Sequence, residues 1–278
     1  MTATDQADEL PEDQATGAIA AIYAEIRRFS GVPYVSSLHR YLATHPGLLE
    51  WVWGALRPAM VSGAIPEAGW RLAATARLAP LPRAPAAGAS LDAIRNVAEN
   101  FVRVAPVNLV FGASLRALLT GPMAGGAVPG GGGFAAGWTP PAPLAPMPGN
   151  LDPAALAPGP RAALLRFTTE LDGKIFIPAL YRQLAHWPLL LAWLAEVLPA
   201  RLAGPEAASA GAALRAAAGT AAGTIVAGLA PVAPPPADTA LTARVLGAIG
   251  RYAVTSPELI LAGRAVLEAL EDGSALGA

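Results

Sequence analysis

Apolar residues recur at helical spacing through most of the chain. Ile19, Ile22, Tyr23 and Ile26 mark one face of a helix predicted from about Ala15 to Phe29, and Gly31-Val32-Pro33 ends it. A helix over Tyr34–Thr44 puts Tyr34, Ser37, Leu38 and Tyr41 on one face, mixing apolar and hydroxyl groups. Pro46 restarts the chain into a helix carrying Leu48, Leu49, Val52, Trp53 and Leu56, with Trp51 alongside. Pro66-Glu67 opens another helix through Ala79, and Pro80, Pro82 and Pro85 force a loop. Ser90 is placed to cap a helix from Leu91 to about Val104, and Pro106 to start one ending near Thr120. After a long stretch of breakers, helices are expected over Pro160–Leu171, Phe176–His186, Pro188–Leu202, 206–229, from Asp238 to about Val254, and from Ser256-Pro257 to near Asp272. The Pro188–Leu202 segment is apolar nearly all round and is expected to be deeply buried. No segment sustains period-two alternation, so the chain reads as all-α.

The pattern also repeats. Tyr34–Pro58 (YVSSLHRYLATHPGLLEWVWGALRP) returns in worn form as Phe176–Ala200 (FIPALYRQLAHWPLLLAWLAEVLPA), with Arg40 on Arg182, Pro46 on Pro188 and Trp51 on Trp193. Phe101–Gly112 matches Tyr252–Gly263, with Pro106 on Pro257 and Gly112 on Gly263. This predicts two fused helical repeats forming an intrachain pseudo-dimer. The divisions are an acidic flexible tail over 1–14, repeat one over 15–120, a Gly/Pro-rich linker over 121–160 and repeat two over 161–278. A pocket is expected at the seam between the repeats.

Composition narrows the chemistry. The 278 residues include no cysteine, which removes disulfides, thiolate metal sites and Cys-x-x-Cys redox chemistry of the alkylhydroperoxidase-D type. The three histidines, His39, His45 and His186, form no metal motif, so neither metal nor cofactor is expected. Net charge is −1 with arginines scattered singly, a poor match to nucleic acid. The N-terminus is acidic and polar, unlike a signal peptide, and Gly and Pro interrupt the uncharged stretches Ala117–Leu151 and Ala216–Ala237. A soluble cytoplasmic protein without membrane association is expected.

The run IRRFSGVPYV...HRYLATHPG, the RQLAHWP element and the helix with Tyr252 and Pro257 together resemble the group I 2-haloacid dehalogenases, which hydrolyse both D- and L-2-haloalkanoic acids. The resemblance spans roughly Ile19–Leu270. It implies an all-helical fold of two fused repeats, an active site between them, homodimers and a small organic acid as ligand. It also implies an aspartate that activates water directly, without an ester intermediate. Aligned without gaps, that aspartate falls on Leu180, with its preceding serine on Ala179, and leucine cannot take a proton. The family's pocket asparagine falls on Ala105, its aromatic pair on Tyr34 and Ser37, and its pocket tyrosine on Tyr252. The substrate-binding candidates are therefore Tyr34, Ser37, Leu180, Tyr252 and Ala105, with the catalytic residue unknown.

Other groups compete for a role. Asp172, in an Asp-Gly turn signal, His39 and Glu99 are the candidates for a relocated base, against ordinary turn, core and surface roles. Arg40 and Arg182 are either structural, paired with Glu50 or Glu196, or an anion site. Tyr181 reads as a packing residue with a wet hydroxyl, and Trp51, Trp53, Trp187 and Trp193 as core. Three functions stay open: a dehalogenase with a relocated base, a relative that binds or transforms another small acid, and a structural homodimer.

Overall fold

The computed structural model describes residues 9–85, 90–121, 134, 136–171 and 174–271. The chain is mostly helical: α1 (Gly17–Ser30), α2 (Ser37–Leu42), α3 (Leu48–Val61), α4 (Ala64–Thr75), α5 (Leu91–Thr120), α6 (Pro158–Leu165), α7 (Ala179–Leu184), α8 (Pro188–Val197), α9 (Pro199–Leu202), α10 (Pro205–Ala227) and α11 (Thr239–Glu271). A short antiparallel hairpin joins α6 to α7, with β1 (Thr169–Leu171) paired to β2 (Lys174–Phe176). The helix expected to run on to Leu171 thus stops at Leu165, and the chain is not purely helical. Asp172 lies outside the described residues.

The long helices α5 and α11 pack along each other and form the centre of one hydrophobic core, with α4 and α10 laid against α5. Each carries an internal proline, Pro106 and Pro257. Both prolines were expected to begin separate helices. An internal proline forfeits one backbone bond and costs about 3 kcal/mol. Both are buried here, in helices whose apolar faces line the core, and that packing offsets the loss. Ser90 makes no side-chain cap, whereas Asp238 does, accepting from the Leu241 amide at 2.7 Å.

Glycines set the closest crossings. A Cβ on Gly69 of α4 would lie 2.7 Å from the Pro106 carbonyl, and one on Gly211 of α10 would lie 3.6 Å from Pro257 Cβ. A Cβ on Gly263 would meet Val102 Cγ2 at 2.8 Å, and one on Gly112 would meet Ile249 Cγ2 at 3.5 Å.

Two segments expected to hang free are tied down where they are described. Residues 9–14 lie against α1 and α2. Tyr23 Oη donates to the Leu10 carbonyl, the Leu10 amide donates to the Arg40 carbonyl, and Glu12 takes the Arg27 guanidinium and the Val35 amide. Within 121–160, the run from Trp138 to Leu151 is a strap. Arg103 donates to the Ala142 carbonyl and Leu144 N–H to the Gly31 carbonyl. Asn96 donates to the carbonyls of Ala145 and Pro146, and Arg182 to that of Leu151.

The apolar α8 is deeply buried on one face only, at Leu190, Leu191, Leu194 and Ala195. Leu189 is 79% exposed, and the expected single helix breaks at Leu198-Pro199. Of the four tryptophans read as core, Trp53 is buried, while Trp51, Trp187 and Trp193 sit at the rim. Among the described residues, two helices, α5 and α10, could cross a membrane by length and composition; the apolar window of α5 is 61% buried as bundle core, that of α10 only 28%.

Candidate functional site

Tyr34 precedes α2 rather than lying in it, in the turn that Gly31 starts in left-handed backbone (φ 65°). Ser37 is the first residue of α2, and Tyr252 reaches it from the middle of α11, where the Tyr252 hydroxyl donates to Ser37 Oγ. The Tyr34 ring is half-buried, but its hydroxyl is buried and has no hydrogen-bond partner. Burial pushes both phenols up, and each feels the charge of the other tyrosine or of the neighbouring Arg40 and Glu residues. Ser37 and Tyr252, far apart in sequence, therefore meet in a hydrogen bond, and Tyr252 acts electrostatically on Tyr34.

The cluster extends to Arg40 and to Glu9, a residue the sequence did not single out. Arg40 Nη2 pairs with Glu9 at 2.6 Å, while its buried Nε has no partner. Arg40 acts electrostatically on Tyr34, Tyr252 and Tyr23, and Glu9 on Tyr252 and Tyr23. Burial raises the Glu9 carboxyl despite the opposing pull of Arg40, and pushes the Tyr23 phenol up to about 12. Arg40 was paired in expectation with Glu50, but the Glu9 carboxylate holds it. Arg182 is not paired with Glu196 either. It donates to the Leu151 carbonyl at 2.9 Å, and Glu196 pairs with Arg166. Nothing in the sequence of a short acidic stretch pointed Glu9 at Arg40, because the contact depends on how residues 9–14 fold back.

Leu180 and Ala105 do not join this cluster as polar groups. Leu180 is fully buried on α7 and Ala105 is buried on α5 before Pro106, both in the continuous core. His39 is buried with its ring 4.6 Å from that of Phe111. Ser36 Oγ lies 2.8 Å from His39 Nδ1 and 3.3 Å from Asn108 Oδ1, so the ring is held by hydrogen bonding at Nδ1. Nε2 is left buried without a partner, and burial lowers the ring to about 3. Such a histidine is a core group and a weak base. Glu99 lines an open cleft of about 430 Å³ with Trp70 and Arg103; a second cleft of about 550 Å³ lies along Arg27, Pro33 and Pro140–Leu144. None of the five matched positions lines either cleft.

A second buried polar group lies on the other half of the core. Tyr181 is fully buried rather than wet; it stacks on Phe167 with ring centres 4.0 Å apart and donates to Glu258 Oε1 at 2.8 Å. Burial raises the Glu258 carboxyl. The sequence signal for this contact is an acid, Glu258, embedded in the apolar run after Pro257.

Taken together, the Tyr34–Ser37–Tyr252–Arg40 cluster offers phenol and hydroxyl donors beside one guanidinium. That set suits a carboxylate, since a guanidinium forks onto two oxygens and a phenol donates a further bond. Among the described residues, no group of three or more His, Asp or Glu is close enough to hold a metal ion.

The backbone is similar to solved structures. A D-2-halacid dehalogenase mutant aligns at a TM-score of 0.66 and 18% identity, over 94% of this chain and 95% of that one. A D-2-haloacid dehalogenase in complex with L-LA aligns with the same values. A mutant of that enzyme with D-2-CPA aligns at 0.61 and 18% identity, over 96% of this chain and 95% of that one. No protein-family model matches the chain, and no curated protein does. The likeness fixes a dehalogenase-like fold.

Proposed function

We propose that this chain uses a dehalogenase-like fold to bind a small organic acid and does not release halide from it. The carrying observation is the Tyr34 hydroxyl, buried without a partner beside the Tyr252–Ser37 bond and the Arg40 guanidinium. An unpaired buried donor costs about 1–3 kcal/mol, a cost that a ligand oxygen would remove. The Glu9 carboxylate already on Arg40 supports a carboxylate as the anion. Loss of halide hydrolysis follows from Leu180, which offers no proton acceptor where the resemblance places the aspartate.

The same reading takes the chain as two fused repeats. Its support is the matched crossings: Gly69 against Pro106 beside Gly211 against Pro257, and Gly112 beside Gly263 between α5 and α11. Homodimer assembly, which the family resemblance implies, belongs to this proposal, as does action in the cytoplasm without membrane or nucleic acid, which the acidic N-terminus, the interrupted apolar stretches and the scattered charge support.

Titration calorimetry with D- and L-2-chloropropionate, beside a halide-release assay, tests it. Saturable binding without halide release is expected, weakened at least about tenfold by Tyr34→Phe, the loss of one hydrogen bond to a charged ligand. Halide release by the wild type refutes the loss of turnover. No binding at millimolar ligand, in the wild type and with the Glu9 carboxylate removed, refutes the site.

A further inference from the structure

Arg40 is already occupied. We infer that the N-terminal segment is a built-in competitor for the acid site, with the Glu9 carboxylate holding the guanidinium that an incoming acid needs. This rests on the reading of the Tyr34–Arg40 cluster as a carboxylate site.

The docking is specific along the segment. The Glu9 carboxylate meets Arg40 Nη2 at 2.6 Å, and the next residue gives its amide to the Arg40 carbonyl at 3.1 Å. Tyr23 Oη holds the Leu10 carbonyl at 3.1 Å. Glu12 anchors the far end on the Val35 amide at 2.7 Å, one residue from Tyr34, and on Arg27. The acid is thus presented to the basic group by the backbone contacts of the next residue, Leu10, and by the Glu12 anchor beyond it. Its carboxylate also acts electrostatically on Tyr252, a donor of the site, and on Tyr23.

The arrangement is nevertheless incomplete as a resting state. Glu9 engages Nη2, but Arg40 Nε and the Tyr34 hydroxyl stay buried and unpartnered. A free carboxylate has two oxygens and no tether, and can reach donors that the tethered one leaves unused. Displacement exchanges one charge pair for another, so burying the guanidinium is compensated in both states. Among its described residues, from Glu9 onward, the occluding segment carries no regular element beyond the 3₁₀ turn at Glu12–Gln14, so its release leaves the helices in place.

Competition of this kind lowers apparent affinity by the fraction of molecules that are open. A segment docked about nine-tenths of the time weakens binding about tenfold. The full-length wild type, Glu9→Gln, Arg40→Gln and the double variant are titrated with 2-chloropropionate. Glu9→Gln is expected to tighten binding at least about tenfold, and Arg40→Gln to weaken it in both backgrounds. Tyr23→Phe, which frees the Leu10 carbonyl and leaves the carboxylate, is expected to tighten binding by a smaller factor. It serves if Glu9→Gln does not fold. In the unaltered protein, hydrogen exchange at the Leu10 amide is expected to accelerate when the acid is added. If Glu9→Gln and Tyr23→Phe match the wild type while Arg40→Gln still weakens binding, the acid site stands and the competing segment is refuted. If no variant binds, the acid site itself falls, and the competition with it.

Discussion

Replacing Tyr34 by phenylalanine removes one atom, and the structure fixes the sign of two effects. The hydroxyl is buried with no partner, so its removal deletes an unmet donor and acceptor and leaves the ring packing intact. The full penalty for such a group is about 1–3 kcal/mol. Tyr34 keeps part of its ring at the surface, so the lower end applies and the ligand-free variant should gain about 1 kcal/mol. In a chain of this size that raises Tm by about 2 °C. The second effect appears with ligand. At a concentration of about one hundred times Kd, binding stabilises the wild type by about 2.7 kcal/mol. A tenfold weaker Kd cuts that to about 1.4 kcal/mol. Calorimetric melting with and without 2-chloropropionate should therefore show a variant that starts higher and gains about half as much. Tyr252→Phe is the contrast, because its hydroxyl has a partner in Ser37; the ligand-free protein should lose about 1 kcal/mol. A Tyr34→Phe protein less stable than wild type without ligand, or one with an undiminished ligand response, refutes the reasoning.

His39 gives a pH signature. Burial holds its folded pKa near 3, below the unfolded value of about 6.5, so its contribution is present above pH 6.5 and is lost as pH falls from there towards 3. Glu9 and Glu258, raised by burial, act in the opposite sense, so the informative quantity is a difference. In denaturant titrations between pH 6.5 and 5, stability of a His39→Leu variant should fall less steeply than wild type by up to about 1.4 kcal/mol per pH unit, and parallel curves would sink the assignment. Gly69→Ala forces a Cβ to 2.7 Å from the Pro106 backbone and should destabilise by about 1–3 kcal/mol, whereas Gly211→Ala meets ordinary contacts and should be neutral or gain up to about 1 kcal/mol; equal melting shifts would contradict the crossing geometry. Leu180→Asp places a carboxyl in fully buried core and should cost more than about 3 kcal/mol while restoring no halide release. Wild-type stability in that variant would mean the position opens to solvent.

Periodicity carried the helices with clear edges. Ile22, Tyr23 and Ile26 are buried on α1 as their spacing implied, and Asp238 caps α11. Proline misled where the core outweighed its local cost: Pro106 and Pro257 read as helix starts, yet each sits inside a continuous buried helix. Apolar content misled at α8, because Leu189 is leucine in sequence and surface in space. In the site, Ser37 and Tyr252 are legible as matched positions and are joined by a hydrogen bond, with Tyr34 in their electrostatic reach. Glu9 and Glu258 are not legible. Their roles depend on one segment folding back onto Arg40 and on one helix carrying an acid up to Tyr181, and neither leaves a periodic trace.

The strap from Trp138 to Leu151 bears on how the molecule comes apart. It lies within the Gly/Pro-rich stretch expected to link two repeats, and its carbonyls and amides are engaged by Asn96, Arg103 and Gly31 on one side and by Arg182 on the other. Its five prolines, from Pro140 to Pro148, narrow the conformations open to the unfolded chain and so reduce the entropy gained on release. With α5 and α11 sharing one core beneath it, neither half retains a complete interior once the other melts. Loss of order should therefore be all-or-none, a single cooperative transition instead of two independent steps.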